Sequence, residues 1–300
     1  MNFQHTIADR ISCSGVGLHT GSQVRLSIQP AETNTGIVFR RSDIPGCEPV
    51  RSVTENVMST SFATTIGNGS MFVATVEHLM SAFHGLGVDN ALVELDGEEV
   101  PIMDGSAASF VYLIRMAGLK RQTELRSFIQ ITKPIVVAES DKKAGLYPDD
   151  HFRVTYTIDY THPMIKLQSY DYQHDPRLYE SQIASARTFG FLAELNDMQS
   201  NGFASGGSLD NAVLVGDASV INESGLRYSD EFVRHKVLDA MGDMYMAGKP
   251  IIGHYLANKS GHGLNHDLMR KLASSPDCFE VVQLPQPMPL AADQSMARAE

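Results

Sequence analysis

One order of local signals runs twice along the 300-residue chain: alternating strand segments, a helix, a strand and a second helix. In the first pass, residues 23–29 and 36–40 alternate in strand fashion, with turns at Gly15, Gly17, Gly21 and 34–36. Residues 75–87 then place apolar side chains at 76, 79, 80, 83 and 86, which predicts a short amphipathic helix stopped by Gly85 and Gly87. A strand over 90–95 and a helix over 106–117, closed by Gly118, finish the pass. β-Branched runs at 128–138 and 152–158 begin it again. A helix over 230–247 follows, with Ser229 as N-cap and Asp230 and Glu231 in its first turn, and a last helix covers 265–273. The pattern predicts an α+β chain of two domains, residues 1–126 and 127–300, packed against each other, although no strong residue-by-residue repeat accompanies it. The tail after Leu284, rich in Pro, Ala and polar residues, is expected to fray.

A hydrophobic content of 43% is enough for one large core or two smaller ones. The net charge of -11, with no run of Lys or Arg, argues against a protein that grips nucleic acid by its phosphates. An anionic substrate would have to be met by local basic residues. Cys13, Cys47 and Cys278 lie far apart without a CxxC pair, so neither a disulfide framework nor a thiolate zinc knot is expected, and a reducing, cytoplasmic setting fits. The opening residues are polar, and no segment approaches the length of a membrane span, which predicts a soluble chain without stable membrane insertion.

Chemistry enters with the helix over 230–247. His235, Asp239 and Asp243 sit at i, i+4 and i+8, a drift of only about 80° around the helix, so all three share a face. An imidazole and a carboxylate one turn apart can hold one divalent metal. A solvated polar face is the commoner origin of such a pair, but the neighbouring Val237, Leu238 and Met241 imply a packed helix. Glu77 and His78 offer a third ligand beside a carboxylate able to take a proton from water, or simply an acidic residue at a helix start. His262, between two glycines before a helix, is either a surface histidine or an imidazole free to donate a proton. Thr188, in Ser185-Ala-Arg-Thr-Phe-Gly-Phe, either ends a strand or offers its hydroxyl to a developing oxyanion. None of these segments decides alone.

Together they resemble a family, the UDP-3-O-acyl-N-acetylglucosamine deacetylases of Gram-negative bacteria. The resemblance runs through Gly15-Val-Gly-Leu-His-Thr-Gly, Thr75-Val-Glu-His-Leu, Val88-Asp-Asn-Ala, Val100-Pro-Ile-Met-Asp-Gly-Ser, Ser185-Ala-Arg-Thr-Phe-Gly-Phe, His235-Lys-Val-Leu-Asp and Lys259-Ser-Gly-His. Seven motifs in order cover nearly the whole chain. The resemblance implies two similar α+β domains with helices sandwiched between the sheets, and one zinc ion per chain held by His78, His235 and Asp239. It implies Glu77 as general base, His262 as general acid oriented by Asp243, and Thr188 as a partner of the oxyanion, in a site between the two halves. Lys236 and Lys259 would meet the sugar or diphosphate; Tyr160 matches an aromatic position that stacks on uracil, or is a core tyrosine. Phe189 and Phe191, in an insert near 189–207, match an apolar passage for the fatty acyl chain, with Leu18 at its mouth. The sequence departs from the pattern at Phe62, Gly263 and His266. The implied partner is a UDP-sugar lipid substrate and the implied state a monomer. A zinc amidase on another N-acetylated sugar lacking the acyl chain is the second reading, separated by assaying UDP-GlcNAc with and without the acyl group. A non-catalytic metal protein is the third, but structural zinc sites usually close with four ligands, often thiolates.

Overall fold

The computed structural model describes residues 2–284; the tail after Leu284, expected to fray, lies outside the described residues. The fold is α+β. A five-stranded sheet runs in the order Ile11–Val16, Gln23–Pro30, Ala91–Leu95, Ile37–Arg41 and Val50–Arg51. Its pairs are antiparallel except Ala91–Leu95 with Ile37–Arg41. Val24, Leu26 and Ile28 point inward from one strand, Val93 and Leu95 from the next, as period-two alternation dictates. A small meander of Val57–Ser59, Thr65–Gly67 and Phe72–Val73 leads into the first helix.

The seven-stranded sheet is built around Ile251–Asn258, which pairs in parallel with Ser127–Ile131 and Phe152–Tyr160 and antiparallel with Lys142–Tyr147. Ile135–Glu139, Lys166–Gln173 and Phe279–Gln283 extend it. Two short ribbons stand apart: Phe3–Ile7 with Leu119–Leu125, and Phe189–Phe191 with Val213–Val215.

The helices are α1 (Glu77–Leu86), α2 (Ala108–Ala117), the single turn α3 (Pro176–Leu178), α4 (Leu192–Ser200), α5 (Glu231–Tyr245) and α6 (His262–Ala273). Helices α1 and α5 pack directly on each other, with α2 beside α1 and α6 beside α5. At Gly242 the two backbones meet, for a Cβ there would clash with the Glu77 carbonyl. Gly87, at φ 75°, ends α1 with its amide turned back to Phe83 and His84.

Several sequence expectations need correction. Helix α1 is not amphipathic in its setting: every residue from 77 to 86 is buried, and its polar groups find partners such as Tyr179 for Ser81 and the Met241 carbonyl for His84. Gly85 is not a stop; it lies inside α1, where the Tyr179 ring leaves no room for a Cβ. The run 128–138 is two strands, Ser127–Ile131 and Ile135–Glu139, because the Thr132 and Lys133 amides turn to the Cys278 carbonyl at 2.9 and 3.2 Å. Asp230, not Ser229, precedes α5, and its carboxylate holds Arg234 at 2.6 Å rather than capping the helix. The last helix starts three residues early, so His262 is its first residue and not part of a free turn. All three cysteines are unpaired.

Candidate metal centre and active site

Helical spacing brings the first two groups together. His235 and Asp239, one turn apart on α5, face His78 at the start of α1, with both imidazole Nε2 atoms 3.3 Å from Asp239 Oδ1. Ligand atoms of the three residues lie within 4.8 Å of one another, and all three side chains are buried. The protonation pattern then calls for a cation. His235 Nδ1 is 3.0 Å from the Ala186 carbonyl, which can only accept, so the proton sits on Nδ1 and Nε2 carries a lone pair. Burial lowers His235 to about 3 despite the pull of Asp239, so the ring is neutral. Asp239 Oδ1 has no hydrogen-bond donor among the described residues. Burial alone would raise Asp239, yet the Lys236 ammonium, 2.9 Å from its Oδ2, helps hold it well below the carboxylate range. A carboxylate oxygen and an imidazole lone pair facing each other, buried and unsatisfied, fit a divalent ion with nitrogen and oxygen ligands.

Two groups flank this set. Glu77 Oε2 accepts the Thr64 amide at 3.0 Å, while Oε1 lies 3.7 Å from His262 Nε2. Burial raises the Glu77 carboxyl above its ordinary value against the opposing pull of His262 and His78. His262 Nδ1 is 2.8 Å from Asp243 Oδ2, and Nε2 reaches 3.9 Å from Asp239 Oδ2. Burial would lower His262, but Asp243 and Glu77 outweigh it and raise the imidazole to about 10. Asp243, although fully buried, is held low by His262 and His266.

Glu77, His78, His235, Asp239 and His262 line a cavity of about 230 Å³ together with Leu18, Thr188, Phe189 and Lys236. Lys236 Nζ sits 2.9 Å from Asp239 Oδ2 and lies over the Phe189 ring. Thr188 is placed by its neighbour Arg187, whose amide and guanidinium bind Glu231 at the start of α5. Leu18 is placed by a buried carboxylate: Glu99 accepts the His19 and Thr20 amides and the Thr20 and Thr75 hydroxyls, all within 2.8–2.9 Å. A second, mostly apolar cavity of about 270 Å³ adjoins the first, sharing Leu18, Thr188, Phe189 and Met198 with it. Phe191, Leu195 and Leu214 line its far part, and α4 supplies one wall.

Tyr160 and Lys259 line neither cavity. Tyr160 packs its ring 6.0 Å from Phe189 and 5.7 Å from Phe191, behind the apolar wall. Lys259 is held by Asp141 and Asp159, each at 3.0 Å. Sequence reasoning passed over Thr64, Glu99, Asn265 and the inward direction of His266. The last two lie three and four residues beyond His262, and a helix begun at His262 would have placed them on its face. Thr64, in the small meander, gave no local signal.

Comparison with known proteins follows the same lines. A family model described as UDP-3-O-acyl N-acetylglycosamine deacetylase matches residues 4–274. The chain is 47% identical over 283 residues to the UDP-3-O-acyl-N-acetylglucosamine deacetylase of Geobacter sp. (strain M21), covering 94% of this chain and 93% of that protein. It is 48% identical to the protein of that name from Myxococcus xanthus (strain DK1622) over 279 residues, 93% of this chain and 89% of the relative. Against that of Acidithiobacillus ferrooxidans (strain ATCC 53993 / BNL-5-31) it is 48% identical over 281 residues, 93% and 92% of the two chains.

Proposed function

The chain belongs to the UDP-3-O-acyl N-acetylglycosamine deacetylase family, and from that premise we propose a division of labour for its hydrolysis of the acetamide. The enzyme is an amide hydrolase that deacetylates UDP-3-O-acyl-N-acetylglucosamine in lipid A synthesis. His78, His235 and Asp239 hold one zinc ion, a choice supported by their two nitrogens and one oxygen around a buried unsatisfied centre. When bound, zinc supplies Lewis acidity to the acetamide carbonyl and lowers the pKa of water.

The remaining steps belong to side chains. Glu77, with Oε2 tied to the Thr64 amide, takes the proton of the attacking water. His262 keeps its Nδ1 proton on Asp243, so the proton it delivers to the departing sugar nitrogen leaves from Nε2, the atom that faces Glu77. Thr188 offers its hydroxyl to the carbonyl oxygen as charge develops there. Water attacks the carbonyl carbon, the C–N bond breaks, acetate forms and the amine leaves protonated, without a covalent enzyme intermediate. The observation that carries this reading is the 3.7 Å separation of Glu77 Oε1 and His262 Nε2 beside the three-ligand set.

Lys236, beside the metal set, meets the sugar or diphosphate, while Lys259 and Tyr160 contribute from outside the two cavities. Leu18, Phe189 and Phe191 guide the acyl chain into the apolar cavity. That cavity favours the acylated substrate over an N-acetylated sugar without a chain, which would leave it unused. We place the domain boundary at 126/127, so that Glu77 and His78 come from one half and the other site residues from the second. Among the described residues no helix is long and apolar enough to cross a membrane. Three free cysteines support reading the enzyme as cytoplasmic, and the family resemblance supports a monomer.

The test is deacetylation of the acylated UDP-sugar and of UDP-GlcNAc by wild type, Glu77→Ala and His78→Ala, with metal content measured on each. Glu77→Ala should keep its metal and lose activity; His78→Ala should lose both. Wild-type turnover in either variant would overturn the assignment.

A further inference from the structure

We infer that Thr64 is a positioning residue joining the two proton-transfer groups: its amide holds Glu77, its hydroxyl holds the Asp243 carboxylate that orients His262, and His266 aims that hydroxyl. The inference rests on the reading of Glu77 as base and His262 as acid.

Proton counting carries it. The Thr64 hydroxyl has one proton and three polar neighbours: Asp243 Oδ1 at 2.8 Å, His266 Nε2 at 3.2 Å and His262 Nδ1 at 3.4 Å. A carboxylate can only accept, and it is the nearest, so the proton goes to Asp243. His262 Nδ1 lies closer to Asp243 Oδ2, at 2.8 Å, and spends its own proton there. His266 Nε2 faces both Thr64 Oγ1 and Asp243 Oδ1, at 3.2 and 3.3 Å. A proton on that nitrogen closes the alternative direction for the hydroxyl.

Asp243 is thereby pinned at both oxygens: Oδ2 by His262 and the Asn265 amide at 2.8 Å, Oδ1 by Thr64 with His266 behind it. Its plane fixes the direction of His262. The same residue reaches the base through its backbone, since Thr64 N donates to Glu77 Oε2 at 3.0 Å and its carbonyl accepts the Val76 amide at 3.3 Å. Thr64, Asp243 and His266 are all fully buried, so no solvent can replace a missing donor. The residue just before the middle strand of the small meander thus ties the start of α1 to α5 and α6, and sets the spacing of base and acid.

The experiment compares kcat and KM on the acylated UDP-sugar for Thr64→Val, Thr64→Ser, His266→Leu and His266→Gln, with metal content and melting temperature recorded. Thr64→Val should lower kcat about 10–100-fold, the usual loss for a supporting hydrogen bond behind a metal site, with the metal retained. KM should stay within about twofold, because the contact serves proton transfer and not substrate binding. Thr64→Ser should restore most of kcat. In a His262→Ala background Thr64→Val should cost nothing further, since the hydroxyl acts through that histidine. Equal impairment of the Val and Ser variants, or wild-type kcat in Thr64→Val, would overturn the inference. Should Thr64→Val fail to fold, the His266 pair decides: loss in Leu regained in Gln supports it, and unchanged kcat in both sinks it. If Glu77→Gln and His262→Ala keep full activity, the underlying acid–base reading fails instead.

Discussion

Asp243 Oδ2 and His262 Nδ1 lie 2.8 Å apart with the carboxylate fully buried, and this contact decides which imidazole nitrogen faces the cavity. A carboxylate accepts, so Nδ1 carries the proton and Nε2 is left for chemistry. The contact also keeps His262 charged over most of the accessible pH range, since Asp243 and Glu77 together outweigh the effect of burial.

Replacing that carboxylate should therefore move a titration as well as a rate. Asp243→Asn keeps the shape and removes the charge, so the basic limb of kcat should shift to lower pH, and kcat should fall about 10–100-fold. Stability gives a second reading with a definite sign. The His262 contribution is complete below its unfolded value of about 6.5 and fades as pH rises through the folded one. Asp243, held low, contributes above its unfolded value of about 3.9 and fades as pH falls. Denaturation midpoints of wild type and Asp243→Asn should thus differ most between about pH 4 and 6.5. An unmoved basic limb would show that Asp243 does not govern the acid.

The shared face of the candidate metal set was legible because helical spacing fixes a face whatever the tertiary fold: His235 and Asp239 had to point together once α5 was drawn. The surroundings of His262 were not, because Gly261 and Gly263 read as a loop, whereas Gly261 is the extended residue before α6. Helix α1 looked amphipathic since Glu77, His78, Ser81 and His84 interrupt its apolar residues; each is buried by contacts from the other half of the chain or the meander, which spacing cannot reveal. Thr64 shows the limit most clearly, as every contact that matters comes from residues at least 12 positions away.

Removal of the metal should be visible without substrate. A ligand that binds only the folded state at a thousand times its dissociation constant contributes about 4 kcal/mol. Chelation should therefore lower the melting temperature and abolish deacetylation, and added zinc should restore both. His78→Ala should already melt near the chelated value and should not respond to zinc. Full activity in protein from which metal is no longer detectable would exclude the three residues as a catalytic metal site.

Met198 lines both the polar and the apolar cavity, so it reports on whether the acyl chain passes that way. Met198→Gln is similar in length but places an amide against the chain, a cost of about 1–3 kcal/mol, or roughly 5–150-fold in kcat/KM. The loss should fall on the acylated UDP-sugar and spare UDP-GlcNAc. Equal losses on both substrates would mean that the chain lies elsewhere and would revive the reading of an amidase without an acyl pocket.

Gly242 is where α1 and α5 touch backbone to backbone, and the Glu77 carbonyl occupies the space a Cβ would need. Neither element can yield alone, because α1 is buried along its whole length and α5 is packed against the seven-stranded sheet. Gly242→Ala should therefore push the helices apart, at a cost in the range of overpacking, about 1–3 kcal/mol. The displacement acts on His78 against His235 and Asp239, so zinc affinity should fall along with stability. Gly263→Ala serves as the control: its Cβ would meet only Thr60 Oγ1, at an ordinary 3.7 Å, one residue from His262. If Gly242→Ala lowered stability but left zinc affinity at the wild-type value, the close approach of the two helices would matter to the fold and not to the metal site.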